Sequence, residues 1–128
     1  MAIRQRNLEV LQIGSMLSTA VKTIAATGNE TGVDFLGFDG DLVIRMNFAA
    51  AGAGNSLDCR IEESDEAASG YTAVSGGTFT QIGNAAGGQT LTLPKDRLKR
   101  YLRFSVTARG GTASVPMSVD YIGVRKYQ

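Results

Sequence analysis

The stretch LVIRMNFAA, residues 42–50, decides the fold class. Leu42, Ile44, Met46 and Phe48 fall on one side of an extended chain, and Val43, Arg45, Asn47 and Ala49 fall on the other. A sheet buried on one face requires this period of two, because successive side chains of a strand point to opposite faces. GAGN at residues 52–55 turns the chain, and the alternation resumes with Leu57, Cys59 and Ile61 against Asp58, Arg60 and Glu62. The short turn predicts that the two runs pair as a hairpin.

Similar patterns spread in both directions. Residues 16–26 (MLSTAVKTIAA), rich in Thr, Val and Ile, read as a first strand, and residues 31–35 as a short second one. Residues 71–74, 79–82 and 90–93 read as brief strands between Gly-rich loops, the last stopped by Pro94. Residues 101–108 alternate Leu102, Phe104 and Val106 against Arg103, Ser105 and Thr107. In residues 113–124, Val115, Met117, Val119 and Tyr121 line one face. The count is about eight strands at ~10-residue spacing, the pattern of an all-β antiparallel β-sandwich of jelly-roll type. No fixed-period repeat and no linker divides it. Residues 16–128 therefore read as a single β-sandwich domain, preceded by an N-terminal arm, residues 1–15.

With 128 residues, 43% apolar and 20% charged, the chain can bury a core without staples. Its net charge of +1 gives no general attraction to nucleic acid or to an anionic membrane. One cysteine, Cys59, excludes an intramolecular disulfide; mid-strand between Asp58 and Arg60, it reads as a small buried apolar side chain. A reducing compartment during folding fits best. Glu9 and Gln12 interrupt any signal-like apolar run, and no run approaches the ~20 residues that span a bilayer. The expectation is a protein made in the cytoplasm that stays soluble and has no membrane partner.

Chemistry is sparse. The absence of histidine removes the commonest general base, the Ser-His and Cys-His pairs and most zinc sites. The carboxylates Glu62, Glu63, Asp65 and Glu66 lack the D-x-[DN]-x-[DN]-G calcium pattern, and alternation puts Glu62 and Glu63 on opposite faces, so they read as a solvated acidic turn. Asp34, Asp39 and Asp41 read as turn caps. A glycosidase pair or a sugar platform is disfavoured because Trp is absent and the tyrosines fall mostly in strands. The Gly-rich loops at residues 75–78 and 86–89 lack the G-K-[ST] that holds phosphate. No catalytic, cofactor-binding or metal site is assigned, and no enzyme is expected.

Two features favour contact with other proteins. Lys95, Arg97, Lys99, Arg100 and Arg103 form a basic link interrupted by Asp96, better suited to solvent or an acidic protein surface than to direct nucleic-acid binding. Together with the acidic turn, it permits charge pairing between copies. In residues 2–14, Leu8 and Leu11 share a helical face, whereas Leu8, Val10 and Gln12 share a strand face. Such a short, apolar, uncapped segment is one that a partner orders, with Ile3, Arg4, Arg6, Leu8 and Leu11 as its contact candidates.

A TGVDF strand, residues 31–35, leads into GFDGDLVI, residues 37–44. A strand ending in Glu63-Ser64-Asp65 runs on to Tyr71-Thr72-Ala73-Val74, and KRYLR at residues 99–103 and a last strand at residues 118–125 complete the order. This order of motifs resembles small tailed-phage capsid cement (decoration) proteins of the β-sandwich, jelly-roll type. The likeness covers roughly residues 18–126 and omits the arm; DEAASGY stands where a tighter Asp-Gly-Ser/Thr turn is expected. The resemblance implies a virion structural protein, synthesised in the host cytoplasm and placed on the capsid surface. There it would bridge neighbouring copies of the major capsid protein as a homo-oligomer, dimer or trimer, without a cofactor. The alternatives are a head-completion or tail component, and a glycan-recognition β-sandwich of a tail fibre.

Overall fold

The computed structural model describes residues 11–125. It contains ten strands: β1 (Leu11–Ser15), β2 (Lys22–Ile24), β3 (Gly28–Asn29), β4 (Val33–Asp34), β5 (Phe38–Phe48), β6 (Ser56–Ser64), β7 (Thr72–Thr78), β8 (Gly87–Pro94), β9 (Tyr101–Gly110) and β10 (Val115–Arg125). They form two antiparallel sheets. In the first, β10 lies between β5 and an edge shared by β1 and β2, and β8 closes the far side. In the second, β9 lies between β6 and an edge shared by β3 and β4, with β7 outermost.

Because β1 and β2 follow one another along β10, and β3 and β4 along β9, the ten segments occupy eight strand positions. Apart from β6 and β7, which pair as neighbours in the second sheet, successive positions pass between the sheets, in jelly-roll order. The all-β antiparallel sandwich is thus the one that the alternation predicts.

Three local expectations are corrected. Residues 16–26 are not one strand: Met16 and Leu17 are adjacent and both buried, which an alternating strand cannot satisfy, so the chain leaves the ladder between β1 and β2. Glu30 fastens this detour, accepting from the Ser18 N–H at 3.1 Å and pairing with Lys22 Nζ at 2.7 Å. The predicted β5–β6 hairpin does not form, since β5 belongs to the first sheet and β6 to the second. Alternation reveals which face is apolar but not which strand lies alongside. Residues 79–82 make no strand either. Phe79 and Ile82 plug into the core, held by the Phe79 N–H to the Cys59 carbonyl and a bridge between Ile82 and Leu57.

The core fills the gap between the inward faces. Phe35, Phe38 and Tyr121 meet edge to face, with ring centroids 4.9–5.9 Å apart. Two glycines make this possible: a Cβ at Gly14 would strike the Tyr121 ring, and one at Gly123 would strike Phe38 and Leu42. Cys59 is buried, and burial, with a contribution from the Asp58 charge, pushes its thiol pKa up to about 12. Truncating the fully buried Phe35 to Ala is expected to cost about 3–5 kcal/mol. Urea unfolding followed by circular dichroism measures it.

Candidate functional site

The outer face of the second sheet carries a cluster of paired charges. Glu62 on β6 stands directly opposite Arg103 on β9 and two residues from Arg60 on its own strand, so all three project from one face. Arg103 grips Glu62 Oε1 through Nε at 2.8 Å and Nη2 at 2.7 Å, and Arg60 grips Oε2 through Nε at 2.9 Å and Nη2 at 2.7 Å. The Arg103 guanidinium also stacks on the Tyr71 ring, 4.1 Å from its centroid. Beneath these covers Glu62 is only 4% exposed. Burial works to raise its pKa, but the hydrogen bonds from Arg60 and Arg103, together with their charges, outweigh it and hold the carboxyl below its ordinary value.

The acidic and basic sets of the sequence are therefore joined within one molecule. Glu62 is consumed by the lock and is not part of a solvated turn. Glu63 is half-buried and accepts from the Lys99 N–H at 2.9 Å. Asp34 forms a two-pronged pair with Arg100, at 3.0 and 2.8 Å, and Arg100's hydrogen bond is the chief cause of its lowered pKa. Asp65 and Glu66 remain exposed on the β6–β7 loop, whose root is tied by the Ser64 hydroxyl to the Ser69 carbonyl and the Glu66 N–H. Lys95 and Arg97 sit on a single 3₁₀ turn after β8, and Lys99 is exposed just before β9. Asp65, Glu66, Lys95, Arg97 and Lys99 are what this charge set leaves for a partner.

Beside the lock lies a groove of about 420 Å³ lined by Asn29, Glu30, Gly32, Ala67, Tyr71 and Arg103, among others. Its one aromatic ring is largely committed: Arg103 covers a face of Tyr71, whose hydroxyl donates to the Ala67 carbonyl and lies against Gly32. Among the described residues no group of three or more His, Cys, Asp or Glu is arranged to hold a metal ion, and no helix is long and apolar enough to cross a membrane.

The first sheet carries a different surface. Leu11 and Ile13 on β1 pair with Val124 and Ile122 on β10, and all four side chains project outward. Ile122 continues the row to Val43 on β5. Ile13 is 70% exposed and Leu11 45%, on a stretch that the sequence assigns to the arm but that forms a sheet edge. Ile3, Arg4, Arg6 and Leu8 lie outside the described residues. This patch was missed in the sequence although a signal was present. The outward positions of β10 run Pro116, Ser118, Asp120 and then Ile122, Val124, apolar on both faces at one end of the strand.

No protein-family model matches the chain, and no curated protein matches it. Solved structures share the fold. The SPBc2 prophage-derived protein YomS aligns over 89% of this chain and 92% of its own, with 14% identity and a TM-score of 0.56. The K1 cleaved adhesin domain of Lys-gingipain from Porphyromonas gingivalis W83 aligns over 90% and 98%, with 14% identity and a TM-score of 0.51. The CBM22-1-GH10 modules of xylanase 10B from Clostridium thermocellum give 10% identity and a TM-score of 0.50, with 95% of this chain covering 27% of that one. At these identities the likeness is one of fold.

A carboxyl whose folded pKa lies below its unfolded value, about 4.3, stabilises the fold fully above that value and loses the contribution as pH falls through the folded one. Glu62→Gln is therefore expected to cost about 2 kcal/mol at pH 7, less than a fully buried pair because Arg60 and Arg103 keep contact with water. The gap between wild type and variant closes as pH drops below about 4. Paired denaturant titrations from neutral to acid pH measure both effects.

Proposed function

We propose that this chain is a structural protein of a tailed-phage virion, a capsid cement protein that binds the outer head surface and bridges neighbouring major capsid subunits as a symmetric homo-oligomer. The observation that carries the reading is the exposed apolar patch of Leu11, Ile13, Ile122 and Val124 on a jelly roll whose buried side-chain polar atoms all have partners among the described residues. A mechanical clamp needs a rigid body with a sticky face, and no reactive group. The motif order that resembles cement proteins supports the reading: its blocks fall on β4 and β5, on β6 and β7, on β9 and on β10. The prophage origin of YomS points the same way.

On this reading the protein is not an enzyme, takes no cofactor and resides on the virion. Its capsid contacts come from the segment containing Ile3, Arg4, Arg6, Leu8 and Leu11, and from the charges Asp65, Glu66, Arg97 and Lys99, which are exposed, and Lys95, which is half-buried. Multiplicity on a symmetric shell makes modest single contacts effective.

Purified protein added to expanded empty heads of its phage is expected to bind saturably and to raise their disruption temperature. Absence of binding, or binding without stabilisation, would sink the proposal. Copy number per virion separates the nearest rival: parity with the major capsid protein is expected, whereas a single ring's worth of copies means a head-completion or tail component.

One observation favours glycan recognition on a tail fibre, namely the groove at Tyr71. The ring's commitment to Arg103 leaves little face for a sugar. Saturable binding on a glycan array, lost in Tyr71→Ala, would replace the cement reading; a blank array is the expected result.

A further inference from the structure

The two long sheet edges differ from β1 in how they are guarded. β8 is tied to the neighbouring segment by Gln89, which exchanges hydrogen bonds with the Thr80 backbone at 2.7 and 2.9 Å, and it ends in Pro94. β7 carries Gly76-Gly77 and a register shift against β6. Of the short edge pieces, β2 carries the Lys22–Glu30 ion pair, and β3 and β4 are two residues each. Among the described residues nothing pairs with the outer side of β1, Leu-Gln-Ile-Gly-Ser, which has neither charge nor proline nor bulge, and such an edge is a template for another strand.

The hydrogen-bond phase fixes what this edge offers. The Met16 N–H donates to the Val119 carbonyl at 2.7 Å, continuing the β1–β10 register by one pair. Bonded and non-bonded pairs alternate in an antiparallel ladder. Gly14 and Gln12 therefore turn their backbone groups toward β10, and Leu11, Ile13 and Ser15 turn theirs toward the open side.

We propose that β1 pairs antiparallel with β1 of a second copy, centred on Ile13, so that the two first sheets join into one continuous sheet across a two-fold axis. This rests on the multi-copy part of the cement reading and names its surface. In that register Ile13 faces Ile13 of the other copy, and Leu11 faces Ser15. Each of the three open residues donates and accepts once, and the outward apolar patches of the two copies merge beside the seam. The contact is isologous, as a two-fold requires. A second copy thus satisfies the edge.

Sedimentation of the full chain is expected to show a reversible dimer, and Ile13→Lys, which sets two like charges face to face, a monomer with an unchanged circular dichroism spectrum. A hydrogen-bonded antiparallel pair spaces its Cα atoms ~5.5 Å apart, within disulfide reach. Ile13→Cys should therefore cross-link between chains under mild oxidation at least about tenfold faster than Thr92→Cys on β8, with the buried Cys59 silent in both. A wild-type monomer throughout the micromolar range, a dimer that survives Ile13→Lys, or equal cross-linking at the two sites overturns the inference. A monomer that still stabilises heads removes the seam and keeps the cement reading; a dimer that ignores heads does the reverse.

Discussion

The edge-to-face packing of Phe35, Phe38 and Tyr121 is the contact on which the rest of the molecule leans. Phe38 opens β5 and Tyr121 stands on β10, both in the first sheet, while Phe35 comes from the connection that leaves β4 in the second. The Phe35 N–H donates to the Arg100 carbonyl at 2.9 Å, which ties this aromatic cluster to the start of β9. Two sheets that bury one face each must be spaced by what lies between them, about 10 Å apart. These rings set that spacing where the chain crosses from one sheet to the other, and Gly14 and Gly123 exist in their strands to admit them.

The two outer faces then take opposite characters. The second sheet spends its charge on itself: Glu62 is clamped by Arg60 and Arg103, Asp34 by Arg100, and Glu63 caps a backbone N–H. Such pairing fixes side-chain geometry more than it adds stability, since desolvation opposes the Coulomb gain. The first sheet keeps an apolar corner open to water at Leu11, Ile13, Ile122 and Val124. One outer face is thus polar with its central charges paired, and the other carries an exposed apolar corner.

Much of this was legible in the residues. The alternation from Leu42 to Phe48 and from Leu57 to Ile61 gives the strands, their inward faces and the burial of Cys59, because a period of two is local information. Strand pairing is not local, and so the expected hairpin between those runs gave way to a crossing between sheets. The break between β1 and β2 could be read from two adjacent apolar residues, Met16 and Leu17, which no single strand can bury on one face. Glu62 was misplaced for the opposite reason: its partner Arg103 lies 41 residues away in sequence, and only the register of β6 on β9 brings them together.

The same register that sets Leu11 against Val124 has a practical meaning for display. Both ends of the described chain emerge at one corner of the sandwich, on neighbouring strands. Whatever binds at that corner meets the first and last described strands at once, and the β6–β7 loop, between strands of the other sheet, is a separate place for an insertion. The fold is in this sense a two-address scaffold, with the paired ends of β1 and β10 serving one and an internal loop the other.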